Sequence, residues 1–150
     1  YIYTMLNPIT KFIYRDRLWS GADIVGLGVS SFGHLGGIHY QNITNIDHYC
    51  DSVEVKKAPV RRALMTQEEE RFIRELILQW KLGRVDKKYF QKKFGISVTE
   101  RFSLIITKWK ENGDLIEEGD YLVLIRDALL RVDSLLHQFF LPHHQDARYV

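Results

Sequence analysis

From residue 66 onward the apolar positions recur at helical spacing. Phe72, Ile73, Leu76, Ile77 and Trp80 fall on one face of a helix. Thr66 and Glu69 precede that face as a capping box, in which hydroxyl and carboxylate each satisfy a backbone N–H that the first turn leaves unpaired. Gly83 stops the helix. Asp86 is placed to cap a shorter helix that runs through Phe94 and ends at Gly95. A second capping box, Ser97 with Glu100, opens a third helix with Phe102, Ile105, Ile106 and Trp109 on its buried face and Asn112-Gly113 at its end. Leu115-Ile116, the turn Glu118-Gly119-Asp120 and residues 121–125 form a β-hairpin signature. A last helix spans residues 127–140, with Leu129, Val132, Leu136 and Phe139 on one side and Pro142 beyond it. Three helices, a hairpin and a helix make a winged-helix-like order.

The first fifty residues have another texture, rich in glycine, aromatic and β-branched residues. Residues 12–14, 24–29 and 38–40 read as short strands and residues 47–53 as a short helix. Residues 55–63, with Pro59 and the basic residues Lys56, Lys57, Arg61 and Arg62, read as a connector. Three short strands do not build a core of their own, so they are expected to belong to a larger sheet or barrel. The expected class is α+β, divided into terminal strands and loops at 1–53, a linker at 54–65 and a helical domain at 66–150.

A chain of 150 residues, 45% hydrophobic and 27% charged, is long enough for one sizeable core. The lone cysteine, Cys50, argues against a disulfide framework and fits a reducing cytosol, so a cytoplasmic location is expected. No run of 18 apolar residues offers a membrane span, and no signal-peptide layout opens the chain. A net charge of +2 is too small to point to a polyanionic partner.

Candidate chemistry concentrates in residues 24–42, IVGLGVSSFGHLGGIHYQN. An apolar pair runs into Gly26-Leu27-Gly28, followed by Ser30, Ser31, Gly33 and the pair Gly36-Gly37. Such a loop can present backbone N–H groups to a carboxylate, phosphate or ribose. It lacks the third glycine of the dinucleotide fingerprint, and no helical pattern follows. A buried strand with a flexible turn explains the same residues, and both readings stand on pattern alone.

The run from Asp23 through Gly37, with Tyr40-Gln41-Asn42 after it, resembles the oxygen-independent coproporphyrinogen III oxidase family of radical S-adenosylmethionine (SAM) enzymes. Shared elements are a D-x-x-G-x-G-x-S strand-loop and the Tyr40-Gln41-Asn42 run; L-G-R-V-D at residues 82–86 and a closing A-R-Y-V are weaker matches. The resemblance extends over nearly all of the chain and the family's final third. With Tyr1 in place of an initiator Met, a C-terminal piece of a longer protein is expected, its N-terminal barrel elsewhere. The resemblance implies conversion of two propionates of coproporphyrinogen III to vinyl groups, with SAM and a 4Fe-4S cluster in the whole enzyme. It also implies that Gly26, Gly28, Val29, Ser30 and Ser31 contribute to a SAM contact, and that His39, Gln41 and Asn42 meet a porphyrinogen or haem-like substrate. A cluster needs three or four thiolates, so Cys50 alone cannot anchor it and the chain by itself is expected to be inactive. Related haem carriers and haem-degrading methyltransferases share the same terminal domain and are not separated from the oxidases by this stretch.

The remaining candidates have bland explanations beside the functional ones. Asp23 either positions a ligand or caps a turn. His34, His39 and His48 lack metal-site spacing, Cys50 has no evident base, and His143-His144 with residues 146–150 either covers a barrel mouth or frays. Two other classes compete. A DNA-reading winged helix would carry cations on its third helix and wing. Here Arg101, Lys108 and Lys110 face Glu100 and Glu111, and the hairpin carries Asp114, Glu117, Glu118 and Asp120, which argues against nucleic acid. A structural interaction domain would show exposed apolar surface on residues 1–50, where self-association is expected.

Overall fold

The computed structural model describes residues 12–142; the readings of His143-His144, of residues 146–150 and of the first eleven residues lie outside them. In chain order the elements are α1 (Ile13–Trp19), β1 (Phe32–Leu35), β2 (Ile38–Asn42), α2 (Ile46–Glu54), β3 (Val60–Met65), α3 (Glu68–Lys81), β4 (Arg84–Asp86), α4 (Lys87–Phe94), α5 (Val98–Arg101), α6 (Ser103–Glu111), β5 (Leu115–Glu118), β6 (Tyr121–Leu124), α7 (Arg126–Leu130), α8 (Val132–Leu136) and a 3-10 turn at His137–Phe139. The class is α+β, as expected, and the sheets are small and antiparallel. The chain divides into two compact units, Tyr1–Ala22 with Ile73–Val150, and Asp23–Phe72. These limits differ from the boundaries at 53 and 66 read from composition.

In the first unit the core is aromatic. Trp80 from α3 and Trp109 from α6 meet edge to face at 5.3 Å, and Phe139 packs edge to face on Trp109 at 5.3 Å. Phe102 closes on Phe139 at 4.9 Å. The sheet order β4-β6-β5 places the hairpin beside the short strand that precedes α4. Its turn, Gly119-Asp120, has Gly119 at φ +56, the left-handed backbone of a tight hairpin. Asp86 caps α4 by accepting the Tyr89 N–H at 3.1 Å, and Gly95 ends it at φ +68, both as expected.

Several expectations change. Residues 12–14 are not a strand: Phe12 is the N-cap residue of α1 and Ile13 and Tyr14 open the helix, which is closed by Ser20, whose N–H and hydroxyl both donate to the Asp16 carbonyl. An apolar triplet cannot distinguish strand from helix, and the Ser20-Gly21 stop is what decides. At the start of α3, Glu70 accepts the Gln67 N–H at 2.8 Å, one residue beyond the Thr66–Glu69 pair that was read, while Thr66 donates its hydroxyl to the Gly37 carbonyl at 2.5 Å. The third helix breaks at Phe102, and the last breaks at Arg131, whose guanidinium pairs with the buried Asp114 carboxylate. These breaks set Phe102 on Phe139 and Arg131 on Asp114, contacts that a periodicity argument does not see.

The second unit is built on the sheet β1-β2-β3, antiparallel throughout. Gly36-Gly37 is its first hairpin turn, with φ +57 and +82 and Leu35 paired to Ile38 across it. Asn45 caps α2 by accepting the His48 N–H at 3.0 Å. Residues 60–63 are not connector but the start of β3. All six β3 residues are exposed, so no inside–outside alternation marks the strand in the sequence. Residues 24–29 are not a strand either: only Ile24 pairs, exchanging two 2.8 Å hydrogen bonds with His34.

Candidate functional site

Within the second unit, residues 26–31 form a loop laid against β1, β2 and α2. Its shape follows from three glycines with different constraints. Gly28 sits at φ +93, where a side chain is strained. At Gly26 a Cβ would stand 2.3 Å from the Phe32 carbonyl oxygen. Gly33, paired with Tyr40 across the strands, lies under the Tyr40 ring, where a Cβ would meet the ring at 2.2 Å. An aromatic laid over a strand glycine restores the packing that the missing side chain forfeits.

That ring placement aims the Tyr40 hydroxyl at the loop. Gly26 N–H donates to it at 3.0 Å, and Gly28 N–H donates to the Tyr49 hydroxyl of α2, also at 3.0 Å. Asn42, only 3% exposed, donates its amide to both the Gly26 and Gly28 carbonyls at 3.0 Å. Ser30, at φ +61, donates its N–H to the Ile43 carbonyl, and the Ser31 hydroxyl donates to the Leu27 carbonyl at 2.6 Å. The N–H groups expected to face a ligand are thus engaged by the protein itself at Gly26, Gly28 and Ser30. Leu27 and Ser30 are the exposed edge of the loop, and Val29 is half-buried.

The expected substrate contacts separate by environment. Asn42 is the buried clamp of the loop. Gln41 is half-buried, accepts from Arg62 Nε at 2.9 Å and reaches the Ser30 carbonyl at 3.4 Å. His39 is exposed and stacks on Phe32 at 5.8 Å. Asp23 accepts the Gly36 N–H at 3.3 Å, so it tethers the hairpin turn. Beside the loop lies a cleft of about 650 Å³ lined by Val25, Leu27, Leu35, Tyr40, Tyr49 and Val53, with Lys56 and Lys57 also bordering it. The residue pattern missed this cleft, because Tyr49, Val53 and the lysines come from segments read as an isolated helix and a linker.

The first unit carries its own buried polar cluster. Glu75, 5% exposed, accepts from the Tyr89 hydroxyl at 2.6 Å and from Lys93 Nζ at 2.7 and 2.9 Å. Burial and the Glu75 hydrogen bond push the Tyr89 phenol above its ordinary pKa. Burial pulls the Lys93 ammonium down, but hydrogen bonds to Glu75 and Tyr89 outweigh it and hold it above the usual lysine value. Each group has a partner of matching chemistry, so the cluster reads as a structural tie.

No known protein-family model matches the chain. Over 87 residues, 57% of its length, it is 26% identical to an oxygen-independent coproporphyrinogen III oxidase of Helicobacter pylori. Over 85 residues, 54% of its length, it is 31% identical to a protein of the same name from Pseudomonas aeruginosa. The matched stretches are 19% and 18% of those proteins, so the chain spans about a fifth of the curated relatives it matches. The sequence matches cover less of the chain than its motifs suggest. Among solved structures, the coproporphyrinogen III oxidase of Escherichia coli, described as a radical SAM enzyme, aligns with a TM-score of 0.61 at 16% identity, over 78% of this chain and 28% of that one. Likeness at that identity shows a shared fold.

Proposed function

We propose that this chain, similar to the C-terminal part of the oxygen-independent coproporphyrinogen III oxidase family, is the closing portion of a radical SAM enzyme that acts on a porphyrinogen. The observation that carries the reading is the uncovered sheet of the second unit. Val25, Leu27, Phe32, Leu35, Ile38, Leu64 and Met65 are exposed there, and Phe72 is the sole strongly buried apolar side chain among residues 23–72. A sheet with that surface needs a further layer, and a barrel completed by more strands supplies one.

The residues present do not fit a 4Fe-4S cluster. Cys50 is the single cysteine and is exposed, and among the described residues no group of three or more His, Cys, Asp or Glu is arranged to hold a metal. The ligands would have to come from another segment. For SAM, the supported contact is narrower than the loop as a whole: the exposed edge at Leu27 and Ser30, beside Val29 and Ser31, with Gly26 and Gly28 setting the backbone path. His39 and Gln41 are the substrate-facing candidates, since the Asn42 amide is committed to the loop. In this reading Ile73–Val150 is a winged-helix-like module that does not read nucleic acid. Its hairpin is acidic, and Lys87 and Lys110 are held by Glu117 and Lys88 by Asp120. Among the described residues no helix is long and apolar enough to cross a membrane.

The coding sequence upstream of Tyr1 tests the proposal. It is expected to encode C-x-x-x-C-x-x-C, and the protein expressed with that segment is expected to convert coproporphyrinogen III to a vinyl product anaerobically in the presence of SAM. An upstream segment without the motif would overturn the reading. Haem binding without conversion, or methyl transfer to haem, would redirect it to the related carriers or methyltransferases.

A further inference from the structure

We propose that a small cavity in the first unit, framed by Ser20, Gln79, Arg84, Asp86, Tyr89 and Tyr121, binds a free α-amino acid with a short, uncharged side chain. Its volume is about 220 Å³. That is below the range of cavities that take drug-sized molecules, and it excludes an amino acid that carries a nucleoside.

The cavity is built on β4. Arg84 and Asp86 are two residues apart on that strand, so their side chains leave one face of it, while Val85 between them is buried on the other. Asp86 pairs with Tyr121 across the sheet, and the Arg84 guanidinium lies over the Tyr121 ring, 5.2 Å from its centroid. That contact holds the guanidinium by its face and leaves its N–H edge for hydrogen bonds. One oxygen of the Asp86 carboxylate accepts the Tyr89 N–H as the cap of α4. Among the described residues no cation pairs with the other oxygen, and no carboxylate pairs with Arg84. The neighbouring charges are already taken, Lys87 by Glu117, Lys88 by Asp120 and Glu75 by Lys93. Two opposite charges thus border one cavity without bridging to each other.

Gln79 is an independent observation. The residue is 6% exposed, and its Oε1 accepts the Asp86 N–H at 2.9 Å. That bond fixes which end of the amide is oxygen, because a backbone N–H needs an acceptor. Nε2 is therefore a donor, and among the described residues it meets no protein acceptor. A buried amide in that position lacks hydrogen bonds that its kind normally has, and a ligand carboxylate supplies them. The other hydroxyls are committed, Ser20 Oγ to the Asp16 carbonyl and the Tyr89 hydroxyl to Glu75, both at 2.6 Å. What stays open is a cationic donor at Arg84, an amide donor at Gln79 and a carboxylate oxygen at Asp86. An α-amino acid is the complement: its carboxylate accepts from Arg84 and Gln79, and its ammonium donates to Asp86. A simple anion would meet Asp86 as a like charge, and a simple amine would leave Arg84 and Gln79 unanswered. Leu82 and the tyrosine rings give the remaining wall an apolar character, which suits a short, uncharged side chain. None of these residues is a SAM or porphyrinogen contact proposed above, so failure here would leave the similarity-based reading untouched.

The test is an NMR titration of the 150-residue chain with L-valine and its two halves: isobutylamine, which lacks the carboxylate, and 3-methylbutanoate, which lacks the ammonium. L-valine is expected to shift amides of residues 20–22, 79–89 and 121 saturably, and each half to bind at least about fivefold more weakly. Arg84→Met should bring L-valine down to the affinity of isobutylamine and leave isobutylamine itself unchanged. Asp86→Asn, whose side chain still caps α4, should bring L-valine down to the affinity of 3-methylbutanoate without weakening that anion. A loss of fold would weaken all three probes together, and circular dichroism checks each variant. SAM should shift none of these amides. Equal binding of the three probes, equal loss of all three in a folded variant, shifts at other surfaces, a response to SAM, or no saturable shift would each overturn the proposal.

Discussion

Replacing Asn42 by alanine removes the amide that holds the 26–31 loop to the sheet. Two hydrogen bonds of 3.0 Å, to the Gly26 and Gly28 carbonyls, are lost at a residue 3% exposed. A net hydrogen bond contributes about 1 kcal/mol, and a buried acceptor left unpaired costs about 1–3 kcal/mol. Gly26 and Gly28 are half-buried, so a water with two donors can enter the space and recover part of the loss. The expected destabilisation is therefore about 2 kcal/mol, confined to the second unit. That corresponds to about a 30-fold rise in local opening. Hydrogen exchange at the amides of Ile24, His34 and Asn42, which bond to His34, Ile24 and Ser31 carbonyls, reads it directly. Asn42→Asp should be worse, because it removes the donors and points a carboxylate at two carbonyl oxygens. If both variants exchange within twofold of the parent, Asn42 is not a clamp, and its role as a substrate contact regains the ground.

Glu117 tests the hairpin's charge balance. Hydrogen bonds from Lys110 and then Lys87 lower its carboxyl from an ordinary 4.5 to about 2. A pKa lower in the folded state means stabilisation that is complete above pH 4.5 and lost as pH falls toward 2. Solvent screening keeps it below about 1 kcal/mol. Thermal melts of Glu117→Gln and the parent should differ at pH 7 and converge near pH 2; a constant gap would show that the pairing carries no stability. Gly21→Ala combines φ +87 with a Cβ placed 2.9 Å from the Glu75 carboxyl and the Tyr89 hydroxyl. It should cost at least about 1 kcal/mol in urea unfolding, and an unchanged midpoint would refute the described packing.

The long periodic segments of the first unit were legible because one face of each helix meets one core. Ile73, Leu76 and Trp80 are buried as their spacing predicts, and Ile77 is half-buried. Asp86, Ser97 and Gly95 announced their caps through local chemistry. The second unit was harder to read because it buries so little. With all of β3 exposed, no alternation separates strand from connector. The glycine-rich stretch was visible as a special place, but the reasons for its glycines were not. Gly33 answers to the Tyr40 ring and Gly26 to the Phe32 carbonyl, contacts that exist only once the strands are in register. The cleft was illegible for the same reason, since its two tyrosines and two lysines meet through the fold and not through spacing.

The unit that contains α1 is not continuous in the chain, and this bears on how the protein is made. Gly21 follows α1 and lies against Glu75 and Tyr89, residues synthesised only after all of Asp23–Phe72. At about 5–20 residues per second the interval lasts several seconds on the ribosome. In that time β1 and β2 can pair through their two-residue turn, while the earlier segment still lacks the surface it will join. The closure entropy of a loop grows only with the logarithm of its length, by about 0.6 kcal/mol per doubling, so the insertion taxes folding speed far more than final stability. Nascent chains arrested before Tyr89 should therefore leave α1 open to protease, and chains extended past Phe139 should protect it.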